Sequence, residues 1–181
     1  MQLCILLFLT GISLHLYAAT PSSEYKLKAA LIYKLTKFIE WPDQQMGQPE
    51  HNFGICLLGE DNFGEALDAL QERKVKDLPI TVHRLSQSDA VDTRCQIVFI
   101  SESKHAFIKP ILQSLQNRPI LTLSDMANFA EQGGILQFTA GKKRIGFLIN
   151  LKSAKQSNLT IAAPLLDLAT VVGSVSNKTE E

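Results

Sequence analysis

Ile97-Val98-Phe99-Ile100 is an unbroken apolar run set between Gln96 and Ser101, and it limits the fold more than any other stretch. Successive side chains of a strand point to opposite faces of its sheet, so such a run must be buried on both sides. It therefore reads as a central strand covered on each face by helices. Phe53–Leu58 (FGICLL) reads as a second buried strand, and Pro119–Leu123 as another. Pro79–Leu85 sets Ile80, Val82 and Leu85 against polar neighbours and also reads as a strand.

Helical spacing fills the intervals. Asn62–Glu72 places Phe63, Ala66, Leu67 and Leu70 inward, and His105–Leu115 is helical with Pro110 either in its first turn or kinking it. Asp125–Gln132 reads as a short helix that Ser124 can cap. Ile135–Thr139 and Ile145–Asn150 flank Ala140-Gly141-Lys142-Lys143, a hairpin signal. Lys152–Ser157 and Pro164–Val171 close the chain as helices. This order predicts a single α/β domain: a mixed, mostly parallel sheet flanked by helices on both faces, with an antiparallel C-terminal hairpin. The domain spans residues 20–172, and the polar residues 173–181 are expected to form a flexible tail.

Ahead of the first strand, Lys26–Pro42 reads KLKAALIYKLTKFIEWP. At helical spacing Leu27, Leu31, Ile32, Leu35, Phe38 and Ile39 share one face, opposite Lys26, Lys34, Lys37 and Glu40. Lys28 interrupts the apolar face close to the helix start, where its ammonium can snorkel to water. Trp41-Pro42 stops the helix, because proline disfavours helical geometry in the residue before it.

The 181 residues suit one domain with a proper core. Lys plus Arg and Asp plus Glu number 18 each, which leaves no electrostatic case for nucleic acid or an anionic membrane as partner. Residues 1–19 carry no charged side chain and end in Tyr17-Ala18-Ala19, the pattern of a secretory signal peptide cleaved after Ala18 or Ala19. An uncleaved anchor is the competing reading. Export leaves Cys56 and Cys95, and an oxidising compartment makes a disulfide the default, with two independent buried thiols as the alternative. A bridge closing about 39 residues would stabilise by roughly 4 kcal/mol in the chain-entropy picture.

No catalytic set is present. The chain lacks G-x-S-x-G, H-E-x-x-H, C-x-x-C and Walker motifs, and His51, His83 and His105 have no ligand spacing, so neither an enzyme nor a metal or other cofactor is expected. One loop suits a ligand. Gly59–Gly64 joins the carboxyl end of a strand to a helix start, where backbone N–H groups of Gly59, Asn62 and Gly64 favour an anion, with Asp125 and Arg144 as polar neighbours. Glu60 and Asp61 oppose a phosphate there, and a tight turn with an acidic cap accounts for the same residues.

Several stretches carry a resemblance. Ala29-Ala30 followed by Phe38-Ile39-Glu40-Trp41-Pro42, then Leu58-Gly59-Glu60-Asp61-Asn62-Phe63-Gly64, Leu123-Ser124-Asp125, Gly133-Gly134-Ile135, Ile149-Asn150-Leu151 and Leu165-Leu166-Asp167-Leu168-Ala169 follow the order and spacing of the YfiR-like family. The match runs over about residues 24–172. Some YfiR-like proteins carry a second cysteine pair; the later region here has none, so redox sensing attributed to that pair is not expected. The resemblance implies a periplasmic repressor that binds the periplasmic sensor domain of a membrane diguanylate cyclase and so controls cyclic di-GMP and biofilm formation. It further implies sequestration by an outer-membrane lipoprotein and a homodimer. Phe38, Trp41 and Pro42, beside the first helix, are the candidate partner surface. The alternative is a periplasmic small-molecule binding module feeding a different sensor, with a pocket near Gly59–Gly64 and Asp125.

Overall fold

The computed structural model describes residues 23–42, 52–85, 91, 94–140 and 145–173. Its strands are β1 (Ile39–Glu40), β2 (Phe53–Leu58), β3 (Lys74–Val75), β4 (Leu78–Leu85), β5 (Ile97–Ile100), β6 (Leu121–Ser124), β7 (Leu136–Ala140), β8 (Ile145–Asn150), β9 (Thr160–Ile161) and β10 (Thr170–Val172). The helices are α1 (Ser23–Leu35), α2 (Glu65–Asp68, extended by a tighter turn over Ala69–Glu72), α3 (Ile108–Leu115), α4 (Leu151–Gln156) and α5 (Ala163–Leu166). An eight-stranded sheet runs β10-β8-β7-β6-β5-β2-β4-β3, and β1 and β9 form a separate antiparallel ribbon. Within the sheet only the β7–β8 and β3–β4 pairs are antiparallel. The expected α/β domain with its antiparallel hairpin is therefore what the chain forms.

Strand alternation divides the core in two. Phe53, Ile55, Leu57, Ile97 and Phe99 point to the face covered by α1 and α2, where they meet Ile32, Leu35, Phe63 and Leu67. Cys56, Leu58, Val98 and Ile100 point to the other face and meet Ile108, Leu112 and Leu115 of α3. β2 lies between β4 and β5, so the winding direction reverses there, and the carboxyl ends of β2 and β5 frame the crevice where open α/β sheets bind ligands.

Cys56 and Cys95 form a disulfide, with Cα atoms 5.7 Å apart. It lies where residues 94–96 pass close over β2. A Cβ on Gly54 would stand 1.7 Å from the Arg94 carbonyl oxygen, so only glycine fits. Gly54 N–H donates to Gln96 Oε1 (2.6 Å), and Gln96 N–H donates to the Gly54 carbonyl (2.9 Å). Gly54→Ala is expected to cost about 2 kcal/mol or more through overpacking against backbone, read as a lower urea midpoint at unchanged slope.

Three elements differ from expectation. First, α1 ends at Leu35, not at Trp41. Thr36, Lys37 and Phe38 close it with tight turn bonds, and Ile39-Glu40 turns into a strand because Ile161 and Thr160 supply partners far along the chain. Its buried stripe is also rotated: Leu27 is 47% exposed whereas Lys28 is 3% exposed, so Lys28 does not snorkel. Second, Asp125–Gln132 is a run of turns and not a helix. The Ser124 hydroxyl accepts from Met126 N–H and donates to the Ile100 carbonyl, a local alternative to helical bonding, and Asn128 adopts a left-handed φ of 59°. Third, the helix at Pro164 stops at Leu166, and Thr170–Val172 pairs parallel with β8 as an edge strand, as its β-branched residues favour. Pro110 sits in the first turn of α3, where its missing N–H leaves no bond unmade.

Candidate functional site

Three turns meet at the carboxyl edge of β2, β5 and β6. The first begins at Gly59, whose φ of +108° favours glycine and whose hypothetical Cβ would lie 2.6 Å from Ser103 Oγ. Glu60 N–H donates to that same hydroxyl (2.9 Å), which ties this turn to the one after β5. Asp61 then folds back on the chain: its Oδ1 accepts from the N–H groups of Phe63 (2.7 Å) and Gly64 (3.0 Å). Those are the donors an external anion would use, and the loop's own carboxylate already holds them.

Arg84, on β4, locks this arrangement. Its Nε donates to Asp61 Oδ2 (2.6 Å), and its terminal nitrogens reach Asp68 Oδ1 (2.7 Å) and the Gly64 carbonyl (3.2 Å). Burial raises the Asp61 carboxyl, but Arg84 and the two backbone N–H groups outweigh it and hold the group below the usual carboxylate range. A depressed folded value means stability that is present above about pH 4 and lost as pH falls through it. Asp61→Asn is therefore expected to flatten the acid limb of stability against pH, measured by urea midpoints.

The amino end of α1 covers the same edge. Tyr25 OH donates to Asp125 Oδ2 (2.9 Å), and Lys28 Nζ donates to that oxygen (2.5 Å) and pairs with Glu24 Oε1 (2.6 Å). The ammonium also lies 4.3 Å from the Tyr25 ring centroid, and Asn62 Nδ2 donates to Tyr25 OH (3.2 Å). Tyr25 packs edge-on against Phe63, with centroids 5.0 Å apart. Burial pulls the Lys28 ammonium down, yet Asp125 and Glu24 hold its proton more strongly, so its pKa is raised. That contribution is complete below about pH 10.4 and is lost as pH rises through the folded value.

The structure thus joins Asn62 and Asp125 through Tyr25, keeps Gly59 beside Ser101 and Ser103, and engages Gly64 with Asp61 and Arg84. Arg144 lies outside the described residues. Glu24, Tyr25, Lys28 and Arg84 were not among the expected site residues. The legible sign was Lys28, a charge on an apolar stripe, which needs a buried partner. The network pairs acids with bases and offers no nucleophile beside a base, so its chemistry is that of a fastening between α1 and the sheet edge. Among the described residues no group of His, Cys, Asp and Glu could hold a metal ion.

Of the candidate partner residues, Trp41 is buried. Its Nε1 donates to the Gln96 carbonyl (3.2 Å) and its ring stands edge-on to Phe53, 5.2 Å between centroids. Phe38 and Pro42 remain half-buried at the surface beside α1. A cavity of about 530 Å³ opens between α3 and α4, and none of the expected loop residues lines it.

Comparison with known proteins places this geometry. Among solved structures, the chain is similar to a conserved domain protein from Vibrio cholerae O1 biovar El Tor (TM-score 0.54, 11% identity, 83% of this chain and 60% of that one). It is also similar to an ABC domain in complex with L-Trp from Streptococcus pneumoniae (TM-score 0.53, 14% identity, 82% of this chain and 62% of that one). At such identities the likeness is one of fold, and the chain spans about three fifths of the length of either structure. No curated protein sequence matches. A family profile described as YfiR/HmsC-like (DUF4154) matches residues 25–170, from the tyrosine of the α1 fastening to the start of the last strand. Among the described residues no helix is long and apolar enough to cross a membrane. With four fifths of its length matched in this way, the chain belongs to the YfiR/HmsC-like family of periplasmic regulatory proteins in cyclic di-GMP signalling.

Proposed function

We propose that this protein is exported, loses its first 18 or 19 residues by cleavage after Ala18 or Ala19, and represses a membrane diguanylate cyclase by binding its periplasmic sensor domain. The family match over residues 25–170 carries this reading. The role is regulatory, as in the family, and the polar network at the sheet edge holds α1 in place. Repression requires differential affinity, because a ligand that binds both states equally shifts nothing. Driving the cyclase from 99% active to 99% inactive would need about a 10⁴-fold preference for the inactive form. An outer-membrane lipoprotein that captures the repressor would reverse the shift by mass action, and a homodimer is the expected resting form.

The docking surface is the outer side of α1 with the adjoining chain exit. Leu27 is exposed, Leu31 beside it is half-buried, and Phe38 and Pro42 are half-buried at the chain exit. Leu27→Asp and Phe38→Asp are expected to weaken binding to the purified sensor domain by at least about tenfold, with little change in Tm for Leu27→Asp and a lower Tm for Phe38→Asp, whose ring packs partly on the core. Biolayer interferometry beside thermal melts reads both. Undiminished binding by two well-folded variants would remove this surface from the account.

A further inference from the structure

We infer that the cavity between α3 and α4 binds a small monocarboxylate bearing hydroxyl or amide groups. This site is independent of the cyclase reading, involves no residue of α1, and would give the domain a soluble ligand of its own. Its volume of about 530 Å³ falls in the range of small-molecule sites. The cavity opens where the β6–β7 connection, a run of turns, and the six-residue α4 stand beside α3.

Floor and walls differ in their chemistry. On the floor Thr122 and Asn150 are engaged: Thr122 Oγ1 accepts from Ile135 N–H (2.9 Å), and Asn150 donates to the Ala130 carbonyl (2.8 Å) while accepting from Ser153 N–H (3.0 Å). That last bond caps α4, so the start of the helix offers no bare amide cradle of the kind a phosphate needs. The walls are the reverse. Lys109 and Gln116 from α3 and Lys152 and Gln156 from α4 line the same space, and among the described residues none of these four side chains has a hydrogen-bond or ion-pair partner.

Charge selects the ligand. Two ammoniums face the cavity with a single carboxylate, Glu131, which forms an ion pair with neither. The balance is one net positive charge, which a monoanion neutralises and a phosphate dianion exceeds. Glutamine side chains both donate and accept, so they match hydroxyls or amides on the remainder of the ligand.

The test uses the exported chain without residues 1–19, with sodium D-gluconate and sodium D-galacturonate as probes against D-glucose and inorganic phosphate at matched ionic strength. At a concentration a hundredfold above Kd, a monocarboxylate should raise Tm by roughly 5–10 °C. Glucose and phosphate should not. In the Lys109→Gln/Lys152→Gln double variant the shift should vanish while the unliganded Tm stays the same, since both lysines are exposed and unpaired. Backbone amide NMR on the unmodified protein gives a second readout, with gluconate moving the signals of residues 113–116, 131–133 and 152–157. The proposal is overturned if neither carboxylate shifts Tm or these signals at ~50 mM, well above a millimolar Kd. It is equally overturned if glucose or phosphate acts as strongly, or if the double variant keeps the shift.

Discussion

Replacing both Cys56 and Cys95 by alanine will lower the unfolding free energy by about 4 kcal/mol, the largest single loss expected for this chain. The bridge spans 39 residues of sequence and fastens β2 to the segment that enters β5, its neighbour in the interior of the sheet. For a domain of this size that loss corresponds to a fall in Tm of roughly 8–16 °C. Both sulfurs are buried, Cys56 at 0% and Cys95 at 2% exposure, so a thiol reductant reaches them only through unfolding. Dithiothreitol should therefore lower the thermal midpoint while leaving the native bridge intact at ambient temperature, as free-thiol titration would read. Rapid reduction of the folded protein would show that the bridge is a redox element and not a structural one.

Asp125→Ala should cost about 3 kcal/mol, because it leaves the Lys28 ammonium buried with only Glu24 as a partner. Glu24 is half exposed and offsets part of the loss, which places the effect at the lower end for a broken buried pair. Replacing both members, Lys28→Met with Asp125→Leu, should recover most of the stability, since two apolar side chains carry no desolvation cost. A double-mutant cycle measures the coupling directly. Function should separate from stability here. The apolar double variant keeps the fold but loses the polar fastening of α1 to the sheet edge, so hydrogen exchange over residues 23–35 should speed up while the central strands stay protected.

What was legible in the sequence follows from where the bonding partners lie. Phe53–Leu58 and Ile97–Ile100 declare themselves because a strand buried on both faces needs no knowledge of its neighbours. The end of α1 was not legible: Phe38 and Ile39 keep helical spacing, and only Ile161, far along the chain, makes them a strand. The same holds for Thr170–Val172, whose partner is β8. At Asp125–Gln132 the apolar spacing of Met126, Phe129 and Ala130 is real and all three are buried, but Ser124 and Asn128 bend the chain into turns. At the sheet edge, Asn62 and Asp125 were found by their position after strands, whereas their link through Tyr25 and Lys28 depends on how α1 crosses the sheet. The helical spacing turned Leu27 inward and Lys28 to solvent, whereas in the fold Lys28 is buried with Ala29, Ile32 and Leu35 and meets Asp125.

Intracellular cyclic di-GMP, measured in the source bacterium with and without the gene, tests the repressor reading most directly. Deletion should raise the level and the exported wild-type chain should reverse the rise, with Leu27→Asp failing to reverse it despite normal periplasmic abundance. An unchanged cyclic di-GMP level across growth conditions, including envelope stress, would contradict it.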